Sequence, residues 1–374
     1  MWCKMERILK KIERINDVRQ WWKVKHKLLD IVMIVLFATL ANADEWEENE
    51  DFAHANEEFL RGYLELPWGI PSHDTIQRVM AAIDPKYMQA VVIEWNEIIN
   101  SNESEKLKKI INIDGKAMRG TGSTKALHVV SAYSKDDGIC FGQTAVQEKH
   151  NEIVAIPELL DELQVKNCIV TIDAMGTQTE IAKKIISKSA DYVLALKGNQ
   201  GNLHEGVRDY FNDEDFLMQI KNIGEYSKTV EKARSQIETR EYYQTDDISW
   251  IDSKSSWKGL KTIGMVKTTI KKDDKTSDET RYYISSLAQD ISLFEKSVRQ
   301  HWAIESMHWQ LDVTFREDAN RTLDKTAAQN MNIMRKFAMS ILKIFDIGKK
   351  RSLKHKRYMI CANSAKFLEQ IMCL

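Results

Sequence analysis

The sequence predicts an α/β protein, a mixed sheet flanked by helices, with a β-rich insertion and an N-terminal all-helical region. Three observations carry that reading. Residues 1–98 show helical spacing throughout. From Ile110 onward, short β-branched runs alternate with helical segments, as strands joined by crossovers do. Strand texture then continues through residues 222–287 and gives way to helical spacing from 288.

A basic amphipathic stretch opens the chain, followed by an apolar helix over Leu28–Ala41. Its longest apolar run, Ile31–Leu40, is too short to span a bilayer, so it is expected to be buried and no membrane association is expected. Residues Asp44–Asp51 read as an acidic surface segment, followed by a helix over Glu58–Leu64. Pro67, Gly69 and Pro71 punctuate the chain, and Ser72 or Asp74 can cap a helix over His73–Ala82. That helix carries Thr75, Gln77 and Arg78 and reads either as a DNA-recognition helix or as a packing helix.

A polar linker at 99–108 precedes the change of texture. Ile110–Asp114, Leu127–Ser134 and Ile139–Val146 predict a three-stranded antiparallel meander, with Asp114 inside its first strand. After a helix over Pro157–Leu163, Cys168–Ile172 reads as a strand buried on both faces and ending in Asp173. Thr177 and Glu180 have the spacing of a capping box, and Tyr192–Leu196 forms another buried strand that ends at Lys197. Thr239–Thr245, Lys261–Ile270 and Thr280–Ser286 are strand-like. A last helix spans about Lys325–Phe345. The resulting division is 1–98 helical and a candidate DNA-binding domain, 109–221 first part of the core, 222–287 insertion, 288–346 C-terminal core helices and 347–374 basic tail.

Five cysteines without a CxxC pair suggest neither a zinc ribbon nor a disulfide framework, and a cytoplasmic setting is expected. The net charge of −1 gives no global argument for nucleic acid. Its distribution is uneven. Residues 1–27 carry nine Lys or Arg against three acids, and 335–358 carry nine against Asp346 alone, which suits a grip on a phosphate backbone from two sides.

His301, Glu305, His308 and Asp312 recur at steps of four, three and four and so share one helix face, with Trp302 and Trp309 on a neighbouring stripe expected to fasten the helix to a core. The polar stripe is either solvated or faces a site. If Asp114 and Asp173 converge with Glu305, three clustered carboxylates need a cation. Lys116 or Arg119 could pair with Asp114. An oxygen-only ligand set points instead to Mg²⁺ or Mn²⁺, two ions acting on a phosphodiester, while the His-Glu-His stripe leaves a Zn or Fe site as a competitor.

Read together, INIDGKAMRG (111–120), TIDAMGTQ (171–178), YVLALKGNQ (192–200) and HWAIESMHWQLDVTFREDANR (301–321) resemble the DDE transposases of bacterial insertion sequences, closest to the ISAs-one type with its H-repeat-associated proteins. The N-terminal HKLLDIVMIVLFATLANADEWEE and GIPSHDTIQRV resemble that branch's helical domain. The resemblance implies an RNase H-like core whose catalytic, metal-holding triad is Asp114, Asp173 and Glu305. It also implies two Mg²⁺ or Mn²⁺ ions, double-stranded DNA as partner (terminal inverted repeats and target) and a homodimer in the DNA complex. The implied reaction hydrolyses one strand at a transposon end and directs the freed 3′-hydroxyl onto target DNA. The alternatives are a non-catalytic DNA-binding relic and a nuclease that does not join. Where the related IS-four signature has Tyr, Arg and Lys, this chain has Val298, His301 and Asp312, and in place of a His-Gly-Arg run it reads Arg234-Ser235-Gln236. The expected DNA contacts are therefore Lys116, Arg119, Lys197, Arg299, His301 and Arg316.

Overall fold

The computed structural model describes residues 4–100, 108–122, 126–146, 152–233, 236–273 and 275–374. Most of the expected linker, together with Arg234 and Ser235, lies outside them.

Helices α1 (Lys4–Glu13), α2 (Leu28–Leu40), α3 (Trp46–Ala55), α4 (Glu57–Arg61), α5 (His73–Ala82) and α6 (Pro85–Asn100) form the N-terminal region. The apolar run explains α2: it is buried on every side, and its one acid, Asp30, accepts a hydrogen bond from the Leu66 amide at 3.1 Å. Next come β1 (Ile110–Met118), β2 (Leu127–Ser134), β3 (Ile139–Val146), α7 (Glu152–Glu162), β4 (Ile169–Ile172), α8 (Thr179–Ser187), β5 (Asp191–Leu196), α9 (Asn202–Asn212) and α10 (Glu214–Asn222). The insertion supplies β6 (Tyr226–Ala233), β7 (Gln236–Thr245), β8 (Thr262–Lys272) and β9 (Lys275–Ser285). The chain closes with α11 (Ile291–Thr314), α12 (Lys325–Ile344), α13 (Leu353–Ala362) and α14 (Ser364–Met372).

Among the described residues the strands form one nine-stranded sheet in the order β3-β2-β1-β4-β5-β9-β8-β7-β6. The first five are the part expected to be RNase H-like: β1 runs antiparallel to β2 and parallel to β4, and β4 runs parallel to β5. The insertion adds itself to that sheet, since β9 pairs antiparallel with β5 and the other three follow as a meander. Strand β6 escaped the sequence reading because YSKTVEKA has its partner-facing side only half-covered and carries few apolar residues.

Helices α7 to α10 cover one face of the sheet and share a core with it. The N-terminal helices, α12, α13, α14 and the C-terminal half of α11 share a second core, so the N-terminal region and the last helices are packed as one layer. This corrects three expectations. Residues 353–372 are two helices rather than a tail, because Ile360, Leu368 and Ile371 find this core. The basic residues Arg335, Lys336, Lys356 and Arg357 are buried, and Arg357 donates to the Thr39 carbonyl and to Asp44 instead of facing phosphate. Asp44, read as surface, is consequently buried and paired with Arg357. The basic balance at 335–358 is thus partly internal structure rather than a DNA grip.

Smaller differences concern caps. Gln178 stands at the α8 N-cap, and Thr177 turns its hydroxyl between the Asp173 and Ala195 carbonyls instead of capping. Ser72 occupies the α5 N-cap position, but its hydroxyl meets the Thr75 hydroxyl at 3.1 Å instead of capping a backbone amide. Among the described residues no helix is long and apolar enough to cross a membrane.

Candidate active site

The candidate site forms where the parallel pairing of β1 with β4 ends and α11 crosses the two strands. Because the two strands are parallel with Ile113 opposite Ile172, Asp114 and Asp173 are the next pair along, on strands about 4.8 Å apart. Sites in sheets of this kind form beyond the carboxyl ends of parallel strands. Asp173 Oδ1 is held by the amides of Met175 and Gly176, both at 3.1 Å. The loop behind it is clamped by Asn199 and Gln200, whose side-chain amides donate to the Ala174 carbonyl at 2.7 and 2.9 Å, which gives the YVLALKGNQ motif a local purpose.

Helix α11 starts at Asp290, which caps the Leu293 amide, and turns Phe294, Val298, Ile304, Met307 and Leu311 to the core. Trp302 and Trp309 do not join them; both are exposed, and Trp302 stacks under Arg281 at 4.1 Å. The polar stripe faces the strands. His301 meets Thr171 of β4, its Nδ1 lying 2.8 Å from Oγ1. His308 meets Asp114 of β1, Nδ1 to Oδ2 3.7 Å. Asp312 meets Lys116. Glu305, between the two histidines, opens to the cleft.

The electrostatics show what the site lacks. Burial, then the charges of Asp173, Glu152 and Glu305, push the Asp114 carboxyl up to about 7, against the single backbone bond from Gly115. Burial also raises Glu305, with Arg281 opposing. Burial drives His301 down to about 4 and His308 down to about 3, so both imidazoles are neutral at pH 7. His308 Nε2 is buried without a hydrogen-bond partner. Among the described residues Arg281 opposes the burial of Glu305 but no cation offsets the charges around Asp114; such a carboxylate group is the charge environment that a divalent metal fits, and the oxygen donors suit Mg²⁺ or Mn²⁺. Among the described residues no three such side chains converge closely enough to hold an ion, as expected of like charges that repel one another.

The expected DNA contacts separate into two groups. Lys116 is not free: although burial opposes its ammonium, Glu317 and Asp312 hold its pKa above the ordinary lysine range, and it binds Glu317 at 2.7 Å. Arg316 pairs with Asp44 and Glu48 of the N-terminal region, and Arg299 pairs with Glu231. His301 lies inside the site and is neutral. Arg119 and Lys197 are exposed, and no ion pair is seen for either side chain among the described residues; Lys197 follows the carboxyl end of β5, beside the Asp173 strand.

Sequence reasoning missed Glu152, Thr171, Asn112 and Arg281. One signal was available for Glu152. Gly115 follows Asp114 inside a strand, where glycine marks a close approach, and a Cβ there would meet the Glu152 carboxylate at 2.5 Å.

Comparison with known proteins gives a consistent result. Residues 9–96 match the family model described as DDE_Tnp_1-associated, and residues 105–341 match the one described as Transposase DDE domain. The chain is 40% identical over 379 residues to "Putative transposase YncI" of Escherichia coli O157:H7, covering 98% of this chain and 95% of that protein. It is 36% identical over 364 residues to "H repeat-associated putative transposase YhhI" of Escherichia coli (strain K12), covering 94% of each. A solved piggyBac transposase synaptic complex with hairpin DNA aligns over 97% of this chain and 79% of that one at 10% identity and a TM-score of 0.38, too distant a likeness to carry an argument.

Proposed function

The chain belongs to the transposase DDE domain family, and on that premise we propose that it is a DNA transposase that hydrolyses a phosphodiester at each end of its element and transfers the freed 3′-hydroxyl into target DNA. The observation that carries the proposal is the position of Asp114 and Asp173 just past the last paired residues of the parallel β1–β4 ladder, with Glu305 on the crossing helix and, among the described residues, no cation offsetting the burial and like charges that act on Asp114.

In this reading Asp114, Asp173 and Glu305 hold two Mg²⁺ or Mn²⁺ ions. Such ions, when bound, activate the attacking oxygen and stabilise the leaving one in an in-line displacement. The protein's own residues do the positioning. The Met175 and Gly176 amides and the Asn199–Gln200 clamp hold Asp173 in place. Lys116 ties the strand of Asp114 to the end of the helix that carries Glu305, through Asp312 and Glu317. Arg119 and Lys197 are the proposed phosphate contacts, with double-stranded DNA as partner and a homodimer handling two ends. Contacts to a backbone fix orientation and carry no sequence preference, so recognition of the element's ends falls to other surfaces.

The test is a strand-transfer assay with a labelled duplex carrying the inverted repeats that flank the reading frame, in Mg²⁺. Cleavage and joining that both vanish in Asp173→Ala support the proposal. Binding without cleavage identifies a non-catalytic DNA-binding protein, and cleavage without joining identifies a nuclease. Activity that survives Asp114→Ala and Glu305→Ala refutes the triad.

A further inference from the structure

His301 sits at the end of a chain of hydrogen bonds in which each link dictates the next. The chain starts at the Tyr133 carbonyl on β2, which can only accept. Asn112 therefore turns its Nδ2 to that oxygen, at 3.1 Å, and is left with Oδ1 as an acceptor. Thr171 spends its one hydroxyl hydrogen on Asn112 Oδ1, at 2.7 Å. Only lone pairs then remain on Thr171 Oγ1 for His301 Nδ1, so the imidazole proton is on Nδ1. In a neutral ring this leaves Nε2 unprotonated. Asn112 and Thr171 are both buried, which keeps water from rewiring the chain.

Nε2 makes no hydrogen bond to the described residues, and it is absent from the atoms sealed away from solvent without a partner, whereas His308 Nε2 is among them. It is a bare lone pair within reach of the cleft. Its position follows from two periodicities. His301 and Glu305 are four residues apart on α11 and share a face, while Thr171 and Asp173 are two apart along β4 and share a side of the sheet. The ring that bridges α11 to Thr171 therefore lies on the helix face of Glu305 and on the strand side of Asp173, whose charge acts on it directly.

We propose that His301 Nε2 is a nitrogen ligand of the divalent metal site built on Asp173 and Glu305. The inference rests on the metal-carboxylate reading above and adds to it. Metal-binding histidines characteristically donate their other ring N–H to a fixed oxygen that sets tautomer and orientation, and Thr171 Oγ1 stands where that oxygen is needed. The alternative role for a free Nε2, taking a proton from the attacking oxygen, suits the site poorly, since a ring held neutral by burial is a weak base near neutral pH. An imidazole donor moves selectivity from Mg²⁺ and Ca²⁺ toward Mn²⁺.

The probe is Mn²⁺ alone, added to the full-length protein without DNA. Expected is a ¹⁴N coupling to Mn²⁺ in pulsed EPR of the wild type that disappears in His301→Gln and persists in His308→Gln. Mn²⁺ affinity should fall by about tenfold or more in His301→Gln and by about tenfold in Thr171→Val, which leaves the ring in place but removes the oxygen that orients it. Mn²⁺ that binds, is lost in Asp173→Ala, and shows neither a nitrogen coupling nor any dependence on His301 overturns the inference and leaves the carboxylate site standing. Mn²⁺ binding that is indifferent to Asp173→Ala overturns both. The wild-type coupling needs no variant to be read, so a variant that fails to fold does not rescue the inference.

Discussion

Replacing Asp114 by Asn should remove a pH dependence from the metal-free protein, and the size of the effect follows from the site. In the fold the Asp114 carboxyl titrates at about 7 against an ordinary value of 3.8. At 1.36 kcal/mol per pH unit that difference is worth about 4 kcal/mol. The sign is set by which state binds the proton. The folded protein keeps it on Asp114 after the unfolded chain has released it, so this stability is fully present below the ordinary carboxylate range and is lost as pH rises through about 7. His301 and His308 act in the opposite direction. Held neutral with pKa values of about 4 and about 3, they take stability away as pH falls below the ordinary histidine value of 6.5. A single stability curve therefore mixes the two effects, and the difference between wild type and Asp114→Asn isolates one. Urea unfolding in EDTA between about pH 4.5 and about pH 8.5 should show the variant gaining on the wild type across the range, by about 3 kcal/mol of that total, and levelling off above about pH 7. Saturating Mg²⁺ should abolish the wild type's alkaline loss, because a cation replaces the proton as the neutralising charge. A difference that stays flat over this range, or slopes the other way, would refute the idea that Asp114 sits in an uncompensated carboxylate cluster.

Three further perturbations test the scaffold around the site. Lys116→Met leaves Asp312 and the buried Glu317 without their cation and should cost about 3 to 5 kcal/mol in urea unfolding, with Glu317→Gln in the same chain restoring part of it; a loss below about 1 kcal/mol would place the pair among weak surface bridges. Gly115→Ala drives a methyl into the Glu152 carboxylate and should destabilise by about 1 to 3 kcal/mol, and Glu152→Ala in the same chain should relieve most of that. Arg357→Ala removes the guanidinium that joins Thr39, Asp44 and the Thr314 carbonyl at the end of α11, leaving Asp44 with Arg316 alone on its carboxylate. It should cost about 3 to 5 kcal/mol and make the chain after Phe345 the first site of proteolysis, checked by thermal unfolding and limited trypsin digestion.

The parts of this protein legible without a structure are those encoded locally. The apolar run that becomes α2, the helix over His73–Ala82 and the meander of β1 to β3 depend on residues a few positions apart, where backbone periodicity and burial agree. The same holds for the placement of Asp114 within the first strand, of Asp173 at the end of a later one and of Glu305 on a later helix. Charge partners are another matter. Lys116 and Arg316 read as DNA contacts because the acids that hold them, Asp312 and Asp44, lie 196 and 272 residues away in the chain. Arg357 finds Asp44 across 313 residues and turns an apparent basic tail into part of a core. Joining the insertion to β5 likewise required a pairing between Val193 and Ser285 that no local pattern specifies. The sequence by itself determined the elements with a strong local pattern and the order in which three acids arrive. Only the tertiary structure decided which cations are already spent and which histidine nitrogen is bare, because an ion pair or a tautomer depends on whichever distant group folding brings within about 3 Å.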